Sequence, residues 1–334
     1  MNVKCTILIL GIFLSISSKI LSQKINGLSF VASREPINQQ HITPVLKTNS
    51  NYVALMPYSI IRDKAIPKIE FNTKGEWFGE TENGLLQYAN EFQKSGIHIM
   101  IKPHIWLRRG GFTGNLKPNT KEGWKLLESS YRKYILTYAK AAEQLKAGLL
   151  CIGTELKEFV LNRPNYWSSL IKEIRAIYSG KLTYAANWDE YKRLSFWGEL
   201  DFIGIDAYFP LSASKTPTIL ELEESWGIHK SAILAIQQKF KKPVLFTEFG
   251  YRSIDYNAKR PWEFSRTQDK VNLNAQTNAL QAIYNQFWGE DWFAGGFLWK
   301  WFHNHEFVGG LKNNRFTPQN KPAEVLITSL YANR

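Results

Sequence analysis

Two glutamates stand at the ends of strongly apolar runs: Glu155 in Gly148-Leu-Leu-Cys-Ile-Gly-Thr-Glu155-Leu156, and Glu248 in Pro243-Val-Leu-Phe-Thr-Glu248-Phe-Gly250. A carboxylate that closes an apolar run belongs at a rim, because burying it without a partner is strongly penalised. Two such rims in one chain point to chemistry shared by two carboxyl groups, one keeping a proton to donate and the other ionised to attack or stabilise. Glu158 competes with Glu155 on its side, but it lies far enough past the run to belong to the following loop or helix. Gly250 frees the backbone beside Glu248.

Those two residues need a scaffold that brings both rims to one place. Short apolar or alternating runs bounded by turn residues recur along the chain, at Ile25–Ser33, Tyr52–Ser59, Ile97–Trp106, Gly148–Leu156, Leu182–Trp188, Phe202–Tyr208, Pro243–Gly250 and Phe293–Trp301. Between them lie amphipathic stretches with helical spacing, at Gly84–Ser95, Trp124–Gln144, Tyr166–Tyr178, Ser225–Lys239, Asn272–Phe287 and Pro322–Tyr331. Strands alternating with helices imply parallel strands joined by crossovers, and eight of them at this length predict one α/β domain over 24–334, a closed (β/α)₈ TIM barrel. An open doubly wound sheet is the alternative, but no glycine-rich phosphate turn follows the first run. In the barrel, active sites form at the C-terminal strand ends. Glu155 ends the fourth run and Glu248 the seventh, so both face one mouth.

Residues 1–23 read as a signal peptide: Lys4, an apolar stretch from Cys5 to about Ile16, then Ser17-Ser-Lys-Ile-Leu-Ser-Gln23. The apolar stretch is short for a membrane anchor, so a secreted or periplasmic protein without stable membrane insertion is expected. Once the leader is removed, Cys151 is the only cysteine and no internal disulfide can form. The net charge of +13 comes without a basic stripe bearing a nucleic-acid reader motif, so nucleic acid is not an expected partner and the charge is read as solvated surface. Aromatic residues make up 14% of the chain and include 12 Trp. Flat rings at strand ends suit carbohydrate, stacking on its C–H faces while polar groups hold the hydroxyls. The sequence does not fix the oligomeric state.

Six segments carry a resemblance in register: Lys102-Pro-His104-Ile-Trp106, Gly153-Thr-Glu155-Leu156, Tyr184-Ala-Ala-Asn187-Trp188, Asp201-Phe-Ile-Gly-Ile-Asp206-Ala-Tyr208, Thr247-Glu248-Phe-Gly250 and Gly296-Phe-Leu-Trp299. Together they resemble the clan of retaining glycoside hydrolases built on the (β/α)₈ barrel, and within it glycoside hydrolase family 113, the endo-β-1,4-mannanases. The resemblance implies a polysaccharide or oligosaccharide substrate, no cofactor, Glu155 as acid/base and Glu248 as nucleophile. It also implies that Tyr208 hydrogen-bonds the nucleophile and that Trp299 is the platform for the attacked sugar. One departure stands out: much of the clan has Asn before the acid/base, contacting the sugar 2-hydroxyl, where this chain has Thr154.

Further residues at strand ends fit substrate binding. Lys102 and His104 could hydrogen-bond hydroxyls, Trp106 could stack, and Asn187, Trp188 and Asp189 could line a subsite, although Asp189 could equally cap the next helix. His303, His305 and Glu306 have metal-ligand spacing, but no third histidine is near in sequence, and no metal is expected. Rival readings are the same machinery acting on β-glucan or in exo mode, and a catalytically silent carbohydrate-binding barrel, which would need neither Glu155 nor Glu248.

Overall fold

The computed structural model describes residues 23–108, 110–263 and 270–332. The leader expected over 1–23 lies, except for Gln23, outside the described residues. Among the described residues ten strands form: β1 (Ile25–Phe30), β2 (Tyr52–Leu55), β3 (Tyr58–Ile61), β4 (His98–Ile101), β5 (His104–Leu107), β6 (Leu149–Thr154), β7 (Lys181–Asn187), β8 (Ile203–Asp206), β9 (Val244–Phe249) and β10 (Phe293–Trp301). Eight of them close into a parallel barrel in the order β1-β2-β4-β6-β7-β8-β9-β10, with β10 returning to β1 through pairs such as Asn26 with Gly296. This is the expected (β/α)₈ barrel. Its strands are buried on both faces, and β1 and β9 have no exposed residue at all. That is why they read as continuous apolar runs rather than alternating ones.

Inside the barrel Ile25, Ala54, Met100, Leu149, Cys151, Ala185, Leu245 and Phe297 pack into one small core. The larger core lies outside it, between strands and helices. Gly27 is required by this packing: a Cβ there would sit 2.4 Å from the ring of Phe297, which fills the barrel.

The helices are α1 (Gln39–Lys47), α2 (Glu82–Lys94), α3 (Lys121–Gln144), α4 (Lys157–Asn162), α5 (Pro164–Ile177), α6 (Ile219–Phe240), α7 (Leu273–Phe287) and α8 (Pro322–Ala332). Five begin on a side chain that accepts a first-turn amide, from Asn38, Thr81, Thr120, Thr218 and Asn272, satisfying donors that a helix start otherwise leaves open. Helix α1 was not foreseen from periodicity, because Pro44 interrupts its pattern.

The second and third apolar runs differ from the single strands expected. Pro57 and Pro103 break each of them in two, since proline offers no ladder donor. The outer halves, β3 and β5, pair with each other in a separate two-stranded parallel sheet beyond the barrel. His104 N–H still donates to Pro57 C=O at 2.9 Å, so the pairing partner is kept across the break. This small sheet carries His104 and Trp106 over the mouth.

Candidate active site

Glu248 sits at the next-to-last position of β9 and is buried. Its Oε1 accepts from the Lys102 ammonium, and its Oε2 accepts from the Tyr208 hydroxyl at 2.8 Å. Lys102 lies in the Lys-Pro break after β4, fully enclosed, and also donates to Asp206 Oδ1 at 3.0 Å and Oδ2 at 3.3 Å. Asp206 closes β8 and takes a further hydrogen bond from Thr247 at 2.8 Å. The end of β4 and, across the barrel from it, the neighbouring ends of β8 and β9 therefore supply one ionic cluster around Glu248. Burial by itself would pull the Lys102 pKa down, but the Asp206 and Glu248 carboxylates outweigh it and raise it. Burial, helped by the Glu248 charge, pushes Asp206 up to about 7, against the pull of Lys102 and Thr247.

Breaking a buried ion pair leaves an uncompensated charge, which costs about 3–5 kcal/mol. Lys102→Met is thus expected to lower the unfolding temperature clearly at pH 7. A carboxyl whose folded pKa lies above its unfolded value loses relative stability as pH rises through the folded value. The deficit against the parent chain should therefore shrink when the melting curves are repeated near pH 5, where Asp206 takes up a proton.

His104, on β5, has its pKa held well below the ordinary value by burial, then by the Lys102 and Lys300 charges, so its ring is neutral. Its Nε2 lies 3.7 Å from Glu248 Oε1. For a neutral ring at that distance this is neither an ion pair nor a hydrogen bond, and Nε2 has no hydrogen-bond partner among the described residues. The imidazole stacks on Trp299, ring centres 6.3 Å apart at 21°.

Glu155 follows β6 directly. It adopts the left-handed backbone conformation, φ 51°, while its N–H still donates to Ala185 C=O at 2.8 Å. The carboxyl is partly open at the mouth yet ringed by protein. Its pKa is raised well above the carboxylate range, first by burial, then by the negative charges of Asp206 and Glu248, against an opposing pull from Lys102. Glu158, by contrast, lies on α4 and faces Lys117 at 3.6 Å and Asn162 at 3.2 Å. Thr154 turns its hydroxyl toward the backbone oxygen of Pro103 at 3.5 Å.

The remaining strand-end residues divide into two flanks. On one, Trp106 is exposed on β5 and meets Tyr58 edge to face. Together with Trp77, Glu80, Lys300 and Phe302 they line a cleft of about 550 Å³. The Lys300 ammonium lies 5.1 Å above the ring centre of Trp299. On the other flank Asn187 Oδ1 accepts from the Trp188 amide at 2.8 Å, Trp188 stacks on Trp262 at 5.2 Å, and exposed Asp189 faces Lys157 at 3.5 Å. His305 bonds Glu324 at 2.7 Å, and His303 faces His41. The structure thus gathers Lys102, His104, Tyr208 and Glu248 into direct contact, with Trp299 joined through His104.

Three residues of this centre were not read as functional from the sequence: Asp206, Glu190 and Lys300. Asp206 carried the same signal as Glu248, a carboxylate closing an apolar run. Glu190 carried none, since its enclosure depends on how the loop after β7 folds back. It is fully buried, and burial raises its pKa to about 7.

A family model described as Glycoside Hydrolase Family 113 matches residues 32–321. Among solved structures the chain is similar to a GH113 β-mannanase from Alicyclobacillus acidocaldarius in complex with ManMIm, at 20% identity and TM-score 0.81, covering 92% of this chain and 97% of that one. It is similar to a GH113 β-1,4-mannanase at 22% identity and TM-score 0.79, covering 93% and 100%. A Faecalibacterium prausnitzii β-glucuronidase aligns at 13% identity and TM-score 0.61, covering 92% of this chain and 49% of that one. No curated protein matches the chain.

Proposed function

The chain belongs to glycoside hydrolase family 113 and is a glycoside hydrolase, and from that premise we propose that it cleaves β-1,4-mannosidic bonds in mannan or manno-oligosaccharides with retention of configuration. The observation that carries the mechanism is the contrast between two carboxyl groups at one mouth. Glu248 is clasped by an ammonium and a phenol, donors that favour a carboxylate. Glu155 holds its proton through burial and the neighbouring acids.

In the first step Glu248 attacks the anomeric carbon and the bond to the leaving oxygen breaks, while Glu155 passes its proton to that oxygen. In the second, Glu155, now a base, takes a proton from water as the water attacks the same carbon and frees Glu248. Two inversions give retention. Asp206, accepting from Lys102 at both carboxyl oxygens, keeps the ammonium directed at Glu248. The mannan-type substrate is supported by the family and by the exposed rings of Trp106 and Trp77 along the cleft beside Lys300. Export is proposed on the leader-like residues 1–23. Incubation with mannan, glucomannan, cellulose and xylan, followed by sizing of the products, tests the reading. Release of sugars from cellulose or xylan but not mannan would overturn the substrate, and release of single sugars alone would make the action exo.

Trp299 is proposed as the platform for the attacked sugar, because it is half-exposed, stacks on His104 and lies in the same mouth. Trp299→Ala should lower kcat/KM by on the order of 10²–10³, or about 3–4 kcal/mol, if the ring favours the distorted sugar of the transition state. A core tryptophan would instead cost about 3–5 kcal/mol of stability on truncation. A variant with a lowered melting temperature but normal rate per folded molecule would move the platform to Trp106 or Trp188.

A further inference from the structure

Glu155 occupies a left-handed conformation that side-chain-bearing residues adopt only where their surroundings hold them. What holds it here is a buried chain of hydrogen bonds. The Leu156 amide, next in sequence, donates to the Tyr184 hydroxyl at 2.7 Å, and that hydroxyl donates to Glu190 Oε1 at 2.8 Å. The other oxygen of Glu190 accepts from the Asn187 amide at 3.1 Å, and the Glu190 amide donates back to Asn187 C=O at 2.8 Å. Tyr184 reaches the turn because Gly153 has no side chain: a Cβ there would lie 2.9 Å from the Tyr184 ring.

Glu190 is enclosed without a cation at ion-pair distance among the described residues. A carboxyl in that setting is costly and is not explained by packing. One of its oxygens accepts from Tyr184 and the other from the Asn187 amide.

We propose that Tyr184 and Glu190 are positioning residues for Glu155, locking through the Leu156 amide the left-handed turn that aims the Glu155 carboxyl into the mouth. The inference rests on Glu155 being the acid/base. The charged groups facing Glu155 are Asp206 at the end of β8, Glu248 on β9, Lys102 after β4 and Glu190 in the loop after β7. Once ionised, above about pH 7, Glu190 has a second effect, because its negative charge helps Glu155 keep its proton.

The test uses Tyr184→Phe, Glu190→Gln and Glu155→Ala in the full chain, with manno-oligosaccharides, a dinitrophenyl β-mannoside and full pH profiles. Tyr184→Phe, which leaves Leu156 without its acceptor, should lose about 10–100-fold on manno-oligosaccharides, a loss typical of weakened proton transfer. The first step on the dinitrophenyl substrate, which needs little protonation, should stay within about threefold. Glu190→Gln keeps an acceptor for Tyr184 but removes the charge, so the alkaline limb of kcat/KM should move to lower pH while the plateau rate stays within about tenfold. A merely structural role would move neither the leaving-group dependence nor the limb. Equal losses on both substrates in Tyr184→Phe would overturn the positioning role, and an unmoved limb in a folded Glu190→Gln would overturn the charge effect. If Tyr184→Phe fails to fold, Glu190→Ala, which removes the acceptor of Tyr184, decides with the same two substrates. If Glu155→Ala itself shows no leaving-group dependence, it is the acid/base reading that fails. If it does show it and the other two variants do not, only the positioning role falls.

Discussion

Glu248→Gln is expected to abolish turnover on every glycoside, with kcat falling on the order of 10⁵-fold or more, as when other hydrolases lose their nucleophile. The amide is nearly the same shape but cannot form the glycosyl ester, and no second carboxyl takes its place. Asp206 is held away by Lys102 and Thr247, and Glu155 approaches from the acid side. The substitution also tests the clasp around the site. Both Glu248 oxygens accept hydrogen bonds, whereas Gln can accept at only one, so the charge partner of Lys102 is lost and the Tyr208 contact must reverse, the Gln amide donating to the hydroxyl. A modest loss of thermal stability should therefore accompany an inactive but folded protein. Residual activity above about one per cent on a dinitrophenyl mannoside, with contamination excluded, would contradict the assignment.

Glu155→Ala should behave differently. Turnover of manno-oligosaccharides should fall by about 10²–10⁴, the usual worth of general acid catalysis. With a dinitrophenyl leaving group the first step should be nearly normal, and the glycosyl ester should accumulate because no base activates water. Azide needs no such base. Its addition should restore turnover and release the β-glycosyl azide, since two inversions occur. The pH profile gives an independent sign. Because the Glu155 pKa is raised well above the ordinary carboxylate value, first by burial, the parent enzyme should keep its acid protonated to higher pH than an ordinary carboxyl would and lose activity as pH rises through the raised value. In the variant this alkaline limb should be absent. An α-configured azide product, or a loss independent of the leaving group, would mean the roles are assigned wrongly.

The barrel was legible because its strands are buried on both faces, leaving eight apolar runs that composition alone makes visible. The two glutamates proposed as catalytic stood out for the complementary reason, as carboxylates that interrupt such runs. Lys102 was visible as a strand-end residue but was read toward the substrate. Its enclosure between Asp206 and Glu248 depends on partners 104 and 146 positions away. Pro57 and Pro103 were in plain view, yet the outer sheet they create depends on pairing between β3 and β5, which no local pattern announces. Glu190 could not be read at all, because a carboxylate in a polar loop looks solvated until the loop folds over it.

The interior of the barrel holds one more consequence. Cys151 is the only cysteine among the described residues. It lies wholly enclosed between Met100, Leu149 and Ala185 in the inner core, and burial pushes its thiol up to about 11. A thiolate forms there only when water enters, and water enters only when neighbouring strands separate. Its alkylation rate is therefore a clock for barrel opening, running independently of catalysis. It would distinguish substitutions that loosen the scaffold from those that disturb only the chemistry at the mouth.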